Sequence, residues 1–114
     1  MIDPYGAVRE ICARLPETRE EPWDAGVRFR VRNRNVAEVF EWHGSAPMLV
    51  VFVDPDEREF MVRQGHPFFA LRHTDKRVGM VLGDDTDWTE VAELVTESYR
   101  LIAPRKLVEQ LPGD

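Results

Sequence analysis

The amino-acid sequence predicts a single α+β domain in which an antiparallel sheet carries helices packed on one face. Three observations support this fold class. Helical and β patterns follow one another in the order helix, strands, helix, strand, helix. The length of 114 residues is typical of one domain, and 43% hydrophobic with 32% charged residues is ordinary globular composition. We therefore expect one domain over residues 1–114.

The first element is a helix that begins at Asp3-Pro4 and ends before Pro16. Aspartate caps the free N–H groups of a first turn, and proline fits the first helical position because its missing N–H has no partner there. The apolar residues of this segment recur at helical spacing and form one face: Val8, Ile11, Cys12 and Leu15.

Residues 27–33 alternate apolar and basic side chains, as expected of a β-strand with one buried face. Asn33-Arg34-Asn35 supplies turn chemistry, and residues 36–42 return as a second strand. The side chains that face outward from the first strand are Arg28, Arg30 and Arg32.

The register of this hairpin is ambiguous from the sequence. A three-residue turn places the apolar residues of both strands on the same face, and we prefer it for that reason. It pairs Val31 with Ala37, Phe29 with Val39 and Arg30 with Glu38.

Residues 48–53 form a continuous apolar run, which predicts a central strand covered on both sides. Asp54-Pro55 repeats the helix-start pattern of the N-terminus, and this second helix runs to about Gln64 with Gly65 as its stop. Residues 66–69 are interpreted as a loop or an irregular edge.

The C-terminal third contains a strand at 77–82 and the clearest helix of the chain. Asp87 caps this helix, and Glu90 has the position of its capping-box partner. Pro104 breaks the helix, and residues 105–111 form a short terminal helix.

The formal net charge of -6 argues against a protein whose affinity for nucleic acid comes from an overall positive charge. Cys12 is the single cysteine, so neither an intramolecular disulfide nor a multi-cysteine zinc site can form. The N-terminus lacks the pattern of a signal peptide, and the longest apolar run is far shorter than a membrane span. We therefore expect a cytoplasmic protein that does not enter a membrane.

Catalytic and metal-binding motifs are absent from the sequence. The three histidines, His43, His66 and His73, do not have the spacing of metal ligands, and the glycines do not form a nucleotide-binding loop. Cys12 lies on the apolar face of a predicted helix, where cysteine acts as a small hydrophobic residue. We expect no enzymatic activity, no metal and no cofactor.

The strongest functional pattern is a basic hairpin on an otherwise acidic chain. The net charge of the whole chain is -6, and without the four positive charges of the hairpin the remaining residues carry -10. Outward residues on one strand lie about 7 Å apart, close to the spacing of phosphates along a nucleic-acid strand. The hairpin cluster is Arg28, Arg30, Arg32 and Arg34, and a second, weaker cluster is Arg72, His73, Lys76 and Arg77.

Two interpretations of the hairpin remain open. Its arginines bind the phosphates or carboxylates of a partner, or they pair with Glu38 and Glu41 across the hairpin and form a solvated face. Alternating arginines also discourage aggregation at a sheet edge.

The C-terminal part of the chain contains two distinctive segments, residues 87–94 (DWTEVAEL) and 97–107 (ESYRLIAPRKL). They resemble the closing signature of the MmcQ/YjbR family. Residues 54–58 (DPDER), 29–31 (FRV) and 11–16 (ICARLP) also fit that family. The resemblance covers nearly the whole chain and is most specific at the C-terminus. It implies the frataxin-like, or CyaY-like, α+β arrangement.

Members of this family are described as DNA-binding through a double wing. The resemblance implies that the hairpin around residues 28–34 is one wing and that the segment around residues 72–77 is the other. We expect a monomer that contacts DNA phosphates weakly through both wings. The alternatives are a protein-interaction module for an acidic partner, and a small-molecule binding protein whose pocket is lined by Trp42, Phe68 or Tyr99.

Overall fold

The computed structural model describes residues 3–112, so both ends of the expected 1–114 domain lie outside the described residues. The helices are α1 (Pro4–Ala13), α2 (Pro55–Gln64), α3 (Trp88–Ile102) and α4 (Arg105–Val108). The strands are β1 (Thr18–Trp23), β2 (Gly26–Val31), β3 (Arg34–Phe40), β4 (Met48–Phe52), β5 (Phe68–Ala70) and β6 (Arg77–Val81).

The six strands form one antiparallel sheet in the order β1-β2-β3-β4-β6-β5. The buried residues of α1, α2 and α3 belong, apart from Ser98, to a single hydrophobic cluster on one side of this sheet. The predicted α+β class, with helices on one face of an antiparallel sheet, is therefore confirmed.

The three long helices begin at the aspartates that the sequence predicts. Asp3 accepts a hydrogen bond from the Tyr5 N–H, and Asp54 accepts one from the Asp56 N–H. Asp87 accepts hydrogen bonds from the first free N–H groups of α3 at 3.0 and 3.2 Å. These caps satisfy donors that have no partner inside the helix, which is why a local pattern was sufficient to locate them.

β1 is a strand that the sequence pattern did not predict. Its residues lack apolar alternation, and Pro22 has no N–H to give to a neighbouring strand. Among the strands of residues 3–112, β1 lies at the edge of the sheet and pairs only with β2, so proline and charged residues are tolerated there. At the opposite edge, residues 68–70 form the short strand β5 where the sequence indicated a loop or an irregular edge.

The register that we preferred for the β2–β3 hairpin is wrong. The strands are joined by a two-residue turn at Arg32-Asn33 instead of a three-residue turn. The observed partners are Val31 with Arg34, Arg30 with Asn35, Phe29 with Ala37 and Arg28 with Glu38.

A β-bulge explains this register. The pairing shifts between Phe29 and Arg30, so that Val36 is an extra residue on β3. Val36 and Ala37 are consecutive and both buried, at 0% and 1% exposure. A bulge turns two successive side chains toward the same side of the sheet, which a regular alternation does not do. The Ser98 hydroxyl of α3 donates a hydrogen bond to the Val36 carbonyl at 2.6 Å, and α3 thereby holds the bulge in place.

Candidate nucleic-acid interface

The four hairpin arginines lie in two different places. Arg28 and Arg30 project from β2 on the side of the sheet opposite the hydrophobic cluster. Arg32 lies in the turn, and Arg34 is opposite Val31, so Arg34 projects toward the side that carries the helices. Arg32 and Arg34 line a surface pocket of about 430 Å³ together with the C-terminal end of α3.

Two basic turns lie at the same end of the sheet. Phe29, Ala37, Val51 and Val78 form one row across four strands, and both the β2–β3 turn and the β5–β6 loop lie beyond the same side of that row. Their side chains are exposed. We call these residues the basic end: Arg32, Arg34, Arg72, His73 and Lys76.

Glu17 partly neutralises the basic end. It accepts hydrogen bonds from Arg32 Nε at 2.8 Å and from Arg32 Nη2 at 3.3 Å. This contact lowers the pKa of the Glu17 carboxyl and raises the pKa of the Arg32 guanidinium. Arg32 also has a φ of 55°, in the left-handed region, and the tight turn holds it there.

The other cations of the basic end are not paired. Within residues 3–112, neither Arg34, Arg72 nor Lys76 forms an ion pair. Acidic side chains nevertheless lie close by. α2 starts directly after β4, which lies between the two turns in the sheet order, and its first residues include Asp54 and Asp56.

The remaining three predicted contact residues, Arg28, Arg30 and Arg77, lie on the other side of the sheet. We call that side the open face, because no helix formed by residues 3–112 packs on it. Its side chains follow from the strand alternation and the observed register, and they include Arg28, Arg30, Glu38, Phe40, Val50 and Arg77.

The arginines of the open face are held by their neighbours. The guanidinium of Arg28 stacks 5.0 Å above the centre of the Trp23 ring. Arg30 donates to Asn35 Oδ1 at 2.6 Å and lies 3.8 Å from Glu21. Arg77 lies 3.5 Å from Glu38 and 5.8 Å from the centre of the Phe52 ring. Arg30 and Arg77 are therefore paired with carboxylates on other strands. Contact of Arg28, Arg30 or Arg77 with nucleic acid stays a prediction.

Glu41 does not take part in the hairpin pairing that the sequence allowed. It accepts a hydrogen bond from the Tyr5 hydroxyl at 3.0 Å instead. Burial, followed by this contact with Glu41, raises the pKa of Tyr5 to about 12. The sequence also did not identify Glu17 as the partner of Arg32, because Glu17 precedes β1, for which no structure was predicted.

The structure also describes the residues that were considered as metal ligands, as a nucleophile and as the lining of a small-molecule pocket. Within residues 3–112, no group of three or more His, Cys, Asp or Glu side chains is arranged to hold a metal ion. Burial raises the pKa of the Cys12 thiol to about 12, which disfavours the nucleophilic thiolate. Phe68 and Tyr99 are core residues, whereas Trp42 is exposed. None of the helices in this range has the length and apolar character of a membrane-crossing segment.

Comparisons with known proteins agree on the fold. The YjbR family model matches residues 13–101. No curated protein matches the chain. The crystal structure of the Deinococcus radiodurans protein DR2400, a DUF419 domain, superposes with a TM-score of 0.68 at 23% sequence identity. The match covers 87% of this chain and 78% of that one. Because the family model matches more than half of the residues, the chain belongs to the YjbR family.

Proposed function

We propose that this protein binds nucleic acid weakly through its phosphates, at the basic end of the sheet. The supporting observation is that two exposed basic turns lie at the same end, three strand spacings or about 14 Å apart. This separation corresponds to roughly four base steps of duplex DNA at 3.4 Å per step. One DNA segment is therefore long enough to contact both turns.

The individual residues have different roles in this proposal. Arg34, Arg72 and Lys76 supply the main phosphate contacts, because no ion pair within the described range neutralises them. Arg32 contributes less while Glu17 holds it. His73 adds a hydrogen-bond donor. Contacts of this kind fix the position of a protein on nucleic acid but do not read its sequence.

The charge distribution explains why we expect weak binding. The chain carries a net charge of -6, and Asp54 and Asp56 lie at the start of α2 between the two turns. Repulsion of phosphates by these carboxylates limits the affinity to the non-specific range, with a Kd on the order of 10⁻⁴ to 10⁻⁶ M. The proposed role is binding, and it requires neither catalysis nor a metal or cofactor.

The experiment is a titration of labelled duplex and single-stranded DNA with the full chain, followed by fluorescence anisotropy. Salt is varied between roughly 50 and 200 mM, because phosphate contacts release counterions and the affinity falls with salt. The double variant Arg34→Ala, Lys76→Ala removes one cation from each turn. We expect its slope of log K against log salt to be smaller by about 2 than that of the unmodified protein.

Arg63→Ala is the matched control. The Arg63 side chain is 77% exposed and lies in the last turn of α2, away from the basic end. Its removal changes the net charge by one unit without touching the two turns. The proposal is wrong if the unmodified protein does not bind DNA at low salt, or if Arg63→Ala weakens binding as much as the double variant does.

A further inference from the structure

The open face has an apolar strip that no helix in the described range covers. Three strands and the short edge strand β5 contribute to it, and the strip is continuous because these side chains are neighbours in the register. Val50 and Phe40 are 5% and 9% exposed, and the other members are partly exposed. The strip consists of Phe40, Met48, Val50, Phe52, Phe69 and Val81.

The strip is flanked by more positive than negative charge. Four arginines and two glutamates project from the open face, which gives it a charge of +2 within a chain of -6. All other residues together therefore carry -8. The charged residues are Arg19, Arg28, Arg30 and Arg77, with Glu21 and Glu38.

The guanidinium groups of this face are already immobilised. Arg28 lies between Glu21 and Glu38 in the register but stacks on Trp23 and forms no ion pair within residues 3–112. The side chain of Arg30 is only 19% exposed, since Asn35 and Glu21 hold it. Fixed guanidinium forks lose little side-chain entropy when they bind a carboxylate.

Trp42 provides a protruding aromatic group at the rim of the strip. It is 59% exposed, and its ring packs edge-on against Phe40 at a centroid distance of 5.8 Å. Exposed tryptophans next to an apolar surface are frequent anchors of protein–protein contacts.

We propose that the open face binds an acidic protein segment. Its apolar side chains would pack on the strip and on Trp42, and its carboxylates would meet Arg28 and Arg30. The open face measures roughly 24 Å by 17 Å, from the five spacings between six strands and a strand length of five residues. Its area is thus below the roughly 800 Å² that each partner contributes to a stable complex, so the contact is a transient one.

Two other occupants fit this surface less well. A second copy would bring two faces of charge +2 together, which is repulsive. Trp42 offers one exposed ring, but stacking of successive bases needs several. Arg28 covers Trp23, Arg77 covers Phe52, and the Phe69 ring fills the space that Gly79 leaves by lacking a side chain.

The test uses the full chain labelled with ¹⁵N and three synthetic peptides. The first peptide alternates glutamate with leucine, the second alternates lysine with leucine, and the third alternates glutamate with serine. We expect the first to shift amide resonances of β2, β3, β4 and β6 around the strip and to quench Trp42 fluorescence. The second and third peptides should bind at least tenfold more weakly, because the second lacks carboxylates and the third lacks apolar side chains.

Variants then separate this surface from the basic end. Arg28→Gln and Val81→Glu should each weaken the first peptide at least fivefold, and a thermal melt verifies that each variant is folded. The double variant Arg34→Ala, Lys76→Ala should leave peptide binding unchanged, so failure here is distinct from failure of the nucleic-acid proposal. Four results would overturn the proposal. The shifts could map to the helices, or the lysine peptide could bind as tightly as the first peptide. An oligonucleotide could cause stronger shifts than the first peptide, or the shifts could appear on raising the protein concentration alone.

Discussion

The basic end and the open face contain the same residue type in opposite physical situations. Arg34 and Arg72 project from exposed turns and form no ion pair within the described residues. Arg28 and Arg77 lie over aromatic rings, and Arg30 is held by an amide and a carboxylate. Arg34 and Arg72 are thus exposed charges that no ion pair of the described residues neutralises, whereas an arginine of the open face is a guanidinium that its neighbours already hold in place. The neighbours of each arginine decide whether it reaches outward.

The largest expected effect comes from removing the Ser98 hydroxyl, which contacts the bulge of β3. Ser98 donates to the Val36 carbonyl at the bulge and accepts from the Phe52 N–H at 3.0 Å. Ser98→Ala leaves both backbone groups without this partner, and each unsatisfied buried group costs about 1–3 kcal/mol. We expect the free energy of unfolding to fall by about 3 kcal/mol, as measured by urea denaturation.

Thr96→Ala is the control for this substitution, because Thr96 is a partly exposed hydroxyl residue on the same helix. It should change the free energy of unfolding by less than about 0.5 kcal/mol. A loss of similar size in both variants would show that the bulge does not depend on the Ser98 hydroxyl.

The second prediction concerns the packing of the open face. A Cβ added at Gly79 would overlap with Cζ of Phe69, so the ring must move. Gly79→Ala should therefore lower the free energy of unfolding by about 2 kcal/mol through overpacking. Urea denaturation of Gly79→Ala, Phe69→Ala and the double variant measures the coupling between the two positions.

Gly83→Ala serves as the reference, since the nearest atom to its added Cβ is 3.6 Å away. It should be nearly neutral. If Gly79→Ala is equally neutral, Phe69 does not fill the space above Gly79 and the apolar strip has a different shape.

Glu17 limits the positive charge that the basic end offers to phosphates. Glu17→Gln removes the carboxylate that holds Arg32 and makes a further cation available to phosphates. At about 0.1 M salt one additional phosphate contact is worth roughly eightfold in affinity, from a slope near 0.9 per contact. We expect DNA affinity to rise roughly fivefold in the anisotropy titration.

Glu59→Gln is the matched substitution, because Glu59 pairs with Arg63 on α2 at 2.8 Å. It lowers the negative charge equally but frees no cation at the basic end. Equal gains in affinity from both variants would mean that net charge, and not Arg32, controls binding.

The smallest expected effect is electrostatic. The contact with Arg32 lowers the pKa of Glu17, so Arg32→Ala should return this pKa toward the ordinary value of about 4.3. A carboxyl with a depressed pKa stabilises the folded state above its unfolded pKa, and this contribution is lost as the pH falls through the folded pKa. Both side chains are exposed, so the effect on stability is small.

An NMR titration of the glutamate side chains measures this shift directly. Glu20 is the internal reference, because its pKa is lowered by Arg9 and not by Arg32. A Glu17 pKa that is the same with and without Arg32 would contradict the contact.

Much of the fold could be predicted from local patterns. The caps at Asp3, Asp54 and Asp87 each act over two or three residues, and the apolar run at 48–53 was sufficient to locate β4. The expectation that this strand is covered on both sides is wrong, because within residues 3–112 helices pack on one side of the sheet. β1 was not predicted because an edge strand needs few apolar residues, and pairing with β2 decides its conformation. The candidate site was predicted as two clusters, and their proximity at one end of the sheet follows from the strand order.

The fold class, the three capped helices and the presence of two basic clusters follow from the sequence alone, because they depend on short-range periodicity, capping and composition. The tertiary structure decided which of those residues are exposed together. Ser98 contacts Val36 across 62 positions of the chain, and this contact accompanies the bulge that sets the hairpin register. A contact of such sequence separation leaves no periodic pattern in either segment, and a one-residue change of register moves side chains to the opposite face.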